Sequence, residues 1–182
     1  QGAEVGDMAE RFEREWDAAL AGTSVRFNAT HDEASLRDIG RRLCIGFREA
    51  WDARGMTPVL AANGELLVES RFRVKFSPTV GLSGEPDLVA MDANGEVWII
   101  DLKTPVSKAF EGFAGIADQL TAYQILVEAH RKALGIPPIR GVAFLEGLKQ
   151  KKAQWVWQDA SRHSESQVAE YQAKALRVAA LM

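Results

Sequence analysis

Hydrophobic positions recur along this chain with two different periods. Met8, Phe12, Trp16 and Leu20 are spaced by four residues and predict an amphipathic helix over about 4–20. A loop over 22–31 follows. Leu36, Ile39, Leu43, Phe47 and Trp51 then form a second stripe, and a helix is expected over about 32–53. Cys44 flanks that stripe as a core residue. Ala62-Asn63-Gly64 reads as a turn. Over 66–76 the period drops to two. Leu66, Val68, Phe72, Val74 and Phe76 are expected to face a core, with Glu69, Arg71, Arg73 and Lys75 facing away. A β-hairpin follows over 85–104, then a helix over about 114–134 that stops at Gly135, with Pro137-Pro138 beyond. Strands fit 141–145 and 154–158. Ser164 with Gln167 three residues on has the pattern of a capping box opening a last helix. The order αα-βββ-α-ββ-α predicts one α/β domain over 1–182, a mixed β-sheet flanked by helices.

The hairpin carries the chemistry. Its second strand is almost wholly apolar through Val97, Trp98, Ile99 and Ile100, and then bears Asp101 and Lys103. Charged groups are rarely buried unless they are paired or bind metal. A second acid, Asp87, follows Pro86 on the partner strand. Side chains alternate faces, so Val97, Ile99, Asp101 and Lys103 share one side. Whether Asp87 joins them depends on the turn. A two-residue Asn94-Gly95 loop would set Asp87 opposite Leu102, on the wrong face. A three-residue loop, Ala93-Asn94-Gly95, pairs Asp92 with Glu96 and sets Asp87 opposite Asp101. That loop is a type I turn closed by a bulge with Gly95 in the left-handed region, where glycine is favoured, and it is the expected one. Two acids and an amine on one face suit a hard divalent cation and phosphate chemistry. An ordinary hairpin with a charged tip, or a structural ion-pair cluster, would use the same residue types.

Pro86-Asp87 followed by Asp101-Leu102-Lys103 resembles the P-D…(D/E)-x-K signature of the PD-(D/E)XK nuclease superfamily. Gln119-Leu120-Thr121-Ala122-Tyr123 resembles the Q-x-x-x-Y motif of its RecB-like and phage-exonuclease branch. The resemblance implies a restriction-endonuclease-like core. It implies that Asp87, Asp101 and the backbone carbonyl of Leu102 ligate Mg²⁺ or Mn²⁺, that Lys103 is the catalytic lysine, and that Gln119 and Tyr123 lie beside the site and position substrate. Glu69 stands where the family often places a further acid, although Arg71 and Arg73 offer it plain ion pairs; Glu85 is a similar, weaker candidate. The branch often carries G-x-x-x-H-x-x-x-E on its first helix. Here Gly2 and Glu10 fit that frame, but Gly6 stands at the histidine position, so Glu10 or Asp7 would have to substitute. His31, His130 and His163 read as solvated or boundary residues.

Composition narrows the picture further. At 47% hydrophobic residues, a substantial core is available. No apolar run reaches membrane-spanning length. No signal peptide is visible, and a chain that begins at Gln1 is expected to be a fragment or trimmed product, working in the cytoplasm of a bacterial or phage-infected cell. A single cysteine excludes internal disulfides and the four-cysteine iron–sulfur cluster of some relatives. The sequon Asn28-Ala29-Thr30 carries no weight in such a setting. Net charge is −3, which does not advertise a nucleic-acid binder. Local patches decide binding, however. Arg131, Lys132, Arg140, Lys149, Lys151 and Lys152 face only Glu146 in sequence, and Arg71, Arg73 and Lys75 form another basic row. Trp155 and Trp157 alternate onto one strand face, either packed under a helix or stacking bases. The expectation is a metal-dependent deoxyribonuclease, an exonuclease of recombination, repair or phage DNA processing, with DNA and possible recombination or repair proteins as partners. The alternatives are a weak or inactive DNA-binding or assembly module, and a nuclease acting on RNA.

Overall fold

The computed structural model describes residues 5–27, 32–150 and 154–181. Gly2, the sequon, His31, Lys151 and Lys152 lie outside the described residues. The chain forms two compact units. One comprises Gln1–Ala53, Thr104–Lys108 and Glu146–Val156; the other comprises Arg54–Lys103, Ala109–Leu145 and Trp157–Met182.

In the first unit, α1 (Val5–Leu20) packs on α2 (Glu33–Ala53), as the two stripes require. Leu43 and Trp51 are the buried members of the second stripe. Asp32 opens α2 by accepting the Ser35 amide at 2.8 Å. Arg37 bridges the pair of helices through Glu13 at 3.0 Å and through Asp17. Trp155 packs edge-on against Phe47 and donates its indole N–H to the Leu43 carbonyl at 2.7 Å. That satisfied, helix-packed ring fits the packing reading of Trp155. Cys44 is half-buried, and burial pushes its thiol pKa up.

In the second unit the strands are β1 (Thr57–Pro58), β2 (Phe72–Lys75), β3 (Gly81–Gly84), β4 (Leu88–Met91) and β5 (Val97–Lys103). They are followed by α3 (Asp118–Leu134), β6 (Ile139–Leu148), β7 (Gln154–Ser161) and α4 (Glu165–Ala179), of which residues 146–148 of β6 and 154–156 of β7 count with the first unit. A mixed five-stranded sheet runs in the order β1-β4-β5-β6-β7, and β2 pairs with β3 in a separate hairpin. The chain leaves β5, passes through α3 and returns as its neighbour β6, the long crossover that parallel pairs require. The core lies on the α3 side of the hairpin, where Val89, Val97 and Ile99 meet Leu120, Leu126 and Phe144. Each fully buried aliphatic chain there contributes about 1.5–3 kcal/mol. No helix among the described residues is long and apolar enough to cross a membrane.

Several boundaries differ from those expected. The alternation over 66–76 slips by one position. Leu66 and Val68 are exposed, and Leu67 is buried in their place. The Leu67 amide donates to the Val59 carbonyl and its own carbonyl accepts from Val89, both at 2.9 Å. That pairing turns the flanking residues outward. Glu69 then adopts a φ of 46°, which bends the chain and resets the phase before Phe72 enters the core. The helix over 114–134 is also two pieces. A 3-10 turn at Phe113–Ile116 ends at Ala117, whose extended backbone precedes α3. β6 and β7 run longer than the apolar runs that announced them. The capping box at Ser164 and Gln167 is present, as is the stop at Gly135.

His163 is not solvated. It is 3% exposed, its backbone N–H and C=O are both clamped by the Gln124 amide, and its Nε2 lies 2.9 Å from the Ala114 carbonyl. A carbonyl only accepts, so Nε2 carries the proton and Nδ1 can accept from the Thr121 hydroxyl at 2.7 Å. A histidine just ahead of a helix reads as exposed in one dimension; two buried polar partners on α3 make it a core residue.

Candidate active site

The geometry of the candidate site turns on the loop between β4 and β5. Met91 pairs with Val97 and Leu88 with Ile100. That register continues to Asp92 opposite Glu96, with a 3.0 Å bond from the Asp92 amide to the Glu96 carbonyl, and sets Asp87 opposite Asp101. The loop has three residues, and Gly95 closes it at φ 78°. A residue with a Cβ would be strained there. The shared face required of the two acids is therefore present.

Each of these residues is held by a different element. Pro86 is fully buried and anchors the start of β4. Asp87 Oδ2 accepts the Leu102 amide at 2.6 Å, and its own carbonyl accepts the Glu69 amide at 2.9 Å. Asp101 is only 2% exposed. Its Oδ1 accepts from Gln119 Nε2 at 2.9 Å, and the same amide group lies 3.0 Å from the Tyr123 hydroxyl. The Q-x-x-x-Y turn of α3 thus touches the buried carboxylate directly. Tyr123 reaches this position because Gly84 leaves room for it; a Cβ there would lie 3.2 Å from the Tyr123 ring and 2.8 Å from Leu126.

The electrostatics of Asp101 are uneven. Its Oδ2 lies 2.6 Å from Lys103 Nζ, yet receives no well-directed hydrogen bond. Burial lifts its carboxyl above the ordinary range, the Lys103 ammonium pulls it back, and the Asp87 charge adds to the lift. Lys103 itself is 40% exposed and sits 5.7 Å from the centre of the Phe144 ring. A buried carboxylate oxygen without a directed donor, next to a second carboxylate, is a donor set suited to a hard cation. Among the described residues no group of three or more acid, histidine or cysteine side chains is arranged so that it could hold a metal ion. Two carboxylates suffice where phosphate oxygens and waters complete the shell.

A family model matches residues 1–182. The chain belongs to the PD-(D/E)XK nuclease superfamily. PD-(D/E)XK nucleases generally use divalent metals. Comparison with curated proteins finds no match. Among solved structures, one from Eubacterium rectale, named "Putative exonuclease", matches with TM-score 0.50 and 14% identity. The match covers 96% of this chain and 65% of that one, so this chain spans about two-thirds of that protein's length. At that identity the likeness shows a shared fold, the restriction-endonuclease-like mixed sheet. A second structure, titled SSO0001, matches at TM-score 0.41 and 15% identity over 98% of this chain and 79% of that one. That likeness is too slight to bear on the fold.

The remaining sequence candidates are more scattered. Glu69 has an exposed side chain, tied to the site only through its amide. The ion pair expected for it with Arg71 goes to Glu85 instead, at 3.4 Å. Glu10 is exposed on α1, in the other unit. Gly6 lies on the same helix. His130 is half-buried, with Nδ1 2.8 Å from the Leu126 carbonyl and its ring against Phe72, a boundary residue as expected. Trp157 stacks under the Arg54 guanidinium at 4.5 Å. Sequence reading passed over Phe113, Ile116, Asp118 and Lys174, which line a cavity of about 540 Å³ with Lys103 and Gln119. No sequence motif links Lys174 to Lys103; only the packing of α4 on α3 does.

Proposed function

We propose that this PD-(D/E)XK chain is a divalent-metal-dependent nuclease that hydrolyses DNA phosphodiester bonds. The reading extends to an exonuclease of recombination, repair or phage DNA processing in the bacterial or infected-cell cytoplasm. The observation that carries it is the convergence of Asp87, Asp101, Lys103 and Gln119 on one end of the β4–β5 hairpin. Asp87, Asp101 and the Leu102 carbonyl are the groups that would hold Mg²⁺ or Mn²⁺; the exposed Glu69 side chain adds no third acid to that set. When bound there, such an ion supplies Lewis-acid charge to phosphoryl oxygens and acidity to the attacking water. The Gln119 amide orients Asp101 and leaves Oδ2 for other partners. The Lys103 ammonium, half in solvent, neutralises negative charge that develops on the phosphoryl group, which pre-positioned donors do most effectively in a partly desolvated site. Tyr123 fixes Gln119 and, with it, positions the strand.

A second reading is favoured by Gly6 at the family's histidine position: a nuclease-like module that holds DNA, or assembles with partner proteins, without cutting. End-labelled linear and closed circular DNA, each incubated in Mg²⁺ and in EDTA, separate the readings. A metal-dependent exonuclease shortens only the linear form, only in Mg²⁺, and loses that activity in Asp101→Ala and Lys103→Ala with an unchanged circular-dichroism spectrum. Full cleavage by either variant refutes the assignment. Equal retention of DNA in EDTA, with no cutting, favours the second reading. A parallel RNA substrate tests whether DNA is the target.

A further inference from the structure

The cavity of about 540 Å³ beside the candidate site is lined by two lysines, Lys103 and Lys174. Asp118 and Gln119, the first two residues of α3, also line it, and Phe113 and Ile116 supply apolar surface. Ile116 is 65% exposed, and Phe113 stacks on Phe144 at 5.4 Å. Lys174, on α4, makes a close ion pair with Asp118. Both partners are more than half exposed, so water screens the pair and it contributes little to stability. An exposed ammonium that borders a pocket of this size, next to the residue that orients Asp101, is better explained as a ligand contact than as a brace.

We infer that Lys174 is a substrate-positioning residue, a second phosphate seat that takes the phosphate neighbouring the scissile one. Asp118 occupies that seat in the free protein. This inference rests on the nuclease reading above. The stretch of chain between the two phosphates fills the cavity, with sugar and base against Ile116 and Phe113. Cavities of a few hundred cubic ångströms with an apolar wall and a few polar anchors are suited to a group of that size. The Asp118 carboxylate competes with phosphate for one ammonium, so entry of the strand exchanges one ion pair for another. Lys174 then acts on affinity and register, and the chemistry stays with Lys103.

The two partners of the pair make opposite predictions, which a structural brace would not. Binding of a 5′-labelled oligonucleotide is followed by fluorescence anisotropy in EDTA across a salt series, and cleavage is followed in Mn²⁺. Lys174→Met is expected to weaken binding about tenfold at low salt. The slope of log affinity against log salt should become shallower by about 0.7–0.9, the loss of one phosphate contact. KM should rise with kcat nearly unchanged, and Lys174→Arg should restore most of the affinity. Asp118→Asn is expected to tighten binding, because it removes the competitor. If both variants shift affinity in the same direction, or Lys174→Met leaves affinity and slope unchanged while the wild type still cuts, the second seat is overturned and the nuclease reading stands. If the wild type neither binds nor cuts, both fall together.

Discussion

Asp92 and Asp101 sit at opposite ends of the same hairpin and have opposite fates. Asp92 accepts the Asn94 amide at 2.8 Å and the Glu96 amide at 3.0 Å through Oδ1, and the Trp98 indole at 3.1 Å through Oδ2. Arg54, stacked on Trp98 at 4.7 Å and paired with Asp159 at 2.8 Å, adds positive charge nearby. Burial alone would lift the Asp92 carboxyl, but the bonds from Glu96, Trp98 and Asn94 with the Arg54 charge outweigh it and hold it below the ordinary range. Asp101 is more deeply buried, has one directed donor, and is lifted above that range. A carboxylate whose lone pairs are all occupied locks a turn. One left short of donors in a buried place is poised for a ligand. Burial of a carboxylate is costly, and the half-exposed Lys103 ammonium offsets only part of that cost, so the chain retains at Asp101 a strained arrangement of the kind common at functional sites.

The largest expected effect falls on activity. Asp101→Asn keeps shape and removes charge. It should lower metal-dependent cleavage by roughly 10²–10³-fold or more, while leaving urea midpoints at neutral pH unchanged or raised, because the half-exposed Lys103 can return to water. A cleavage rate within a factor of two of wild type would break the contrast. Gln119→Leu removes the one directed donor to Asp101 and should cost about 10–100-fold in activity or metal affinity, the usual loss for a residue that orients a ligand. Isothermal titration with Mn²⁺ distinguishes this from a loss of DNA contact.

Asp92→Ala should do the reverse. It strands the Trp98 indole and two turn amides and should cost about 1–3 kcal/mol, seen as a lower melting temperature, with cleavage retained below that temperature. The smallest effect is a pair of pH slopes, measured without metal. The Asp92 pKa is depressed on folding, so its contribution is present above the ordinary carboxylate range and is lost as pH falls through the lowered value. The gap between wild type and Asp92→Ala should close in acid. The Asp101 pKa is raised on folding, so its contribution is present at low pH and is lost as pH rises through the raised value. Asp101→Asn should therefore gain on wild type from acid towards neutrality. Parallel slopes for the two variants would show that the two carboxylates do not differ in the way described.

Much of this was legible in one dimension. The stripes of α1 and α2, the capping box at Ser164, the stop at Gly135 and the three-residue turn at Gly95 rest on contacts within a few residues or on a single period, and such contacts leave marks in sequence. The strand over 66–76 was misread because Leu66, Leu67 and Val68 are equally apolar. Only the bonds of Leu67 to Val59 and Val89 choose which of them turns inward. His163 was misread for a similar reason, since its partners Thr121, Gln124 and Ala114 lie about forty residues or more away along the chain.

Local chemistry determined the register that sets Asp87 and Asp101 on one face, because a turn of three residues with a left-handed glycine leaves the strands a single alignment. It also determined that an acid and an amine close an otherwise apolar strand. Tertiary structure alone decided which atoms those groups meet. Gln119 reaches Asp101 because α3 packs across β5, and Lys174 borders the same cavity because α4 packs on α3. Helix packing joins positions far apart in the chain through non-directional burial of apolar surface, and burial of that kind leaves no spacing in the sequence from which the meeting could be read.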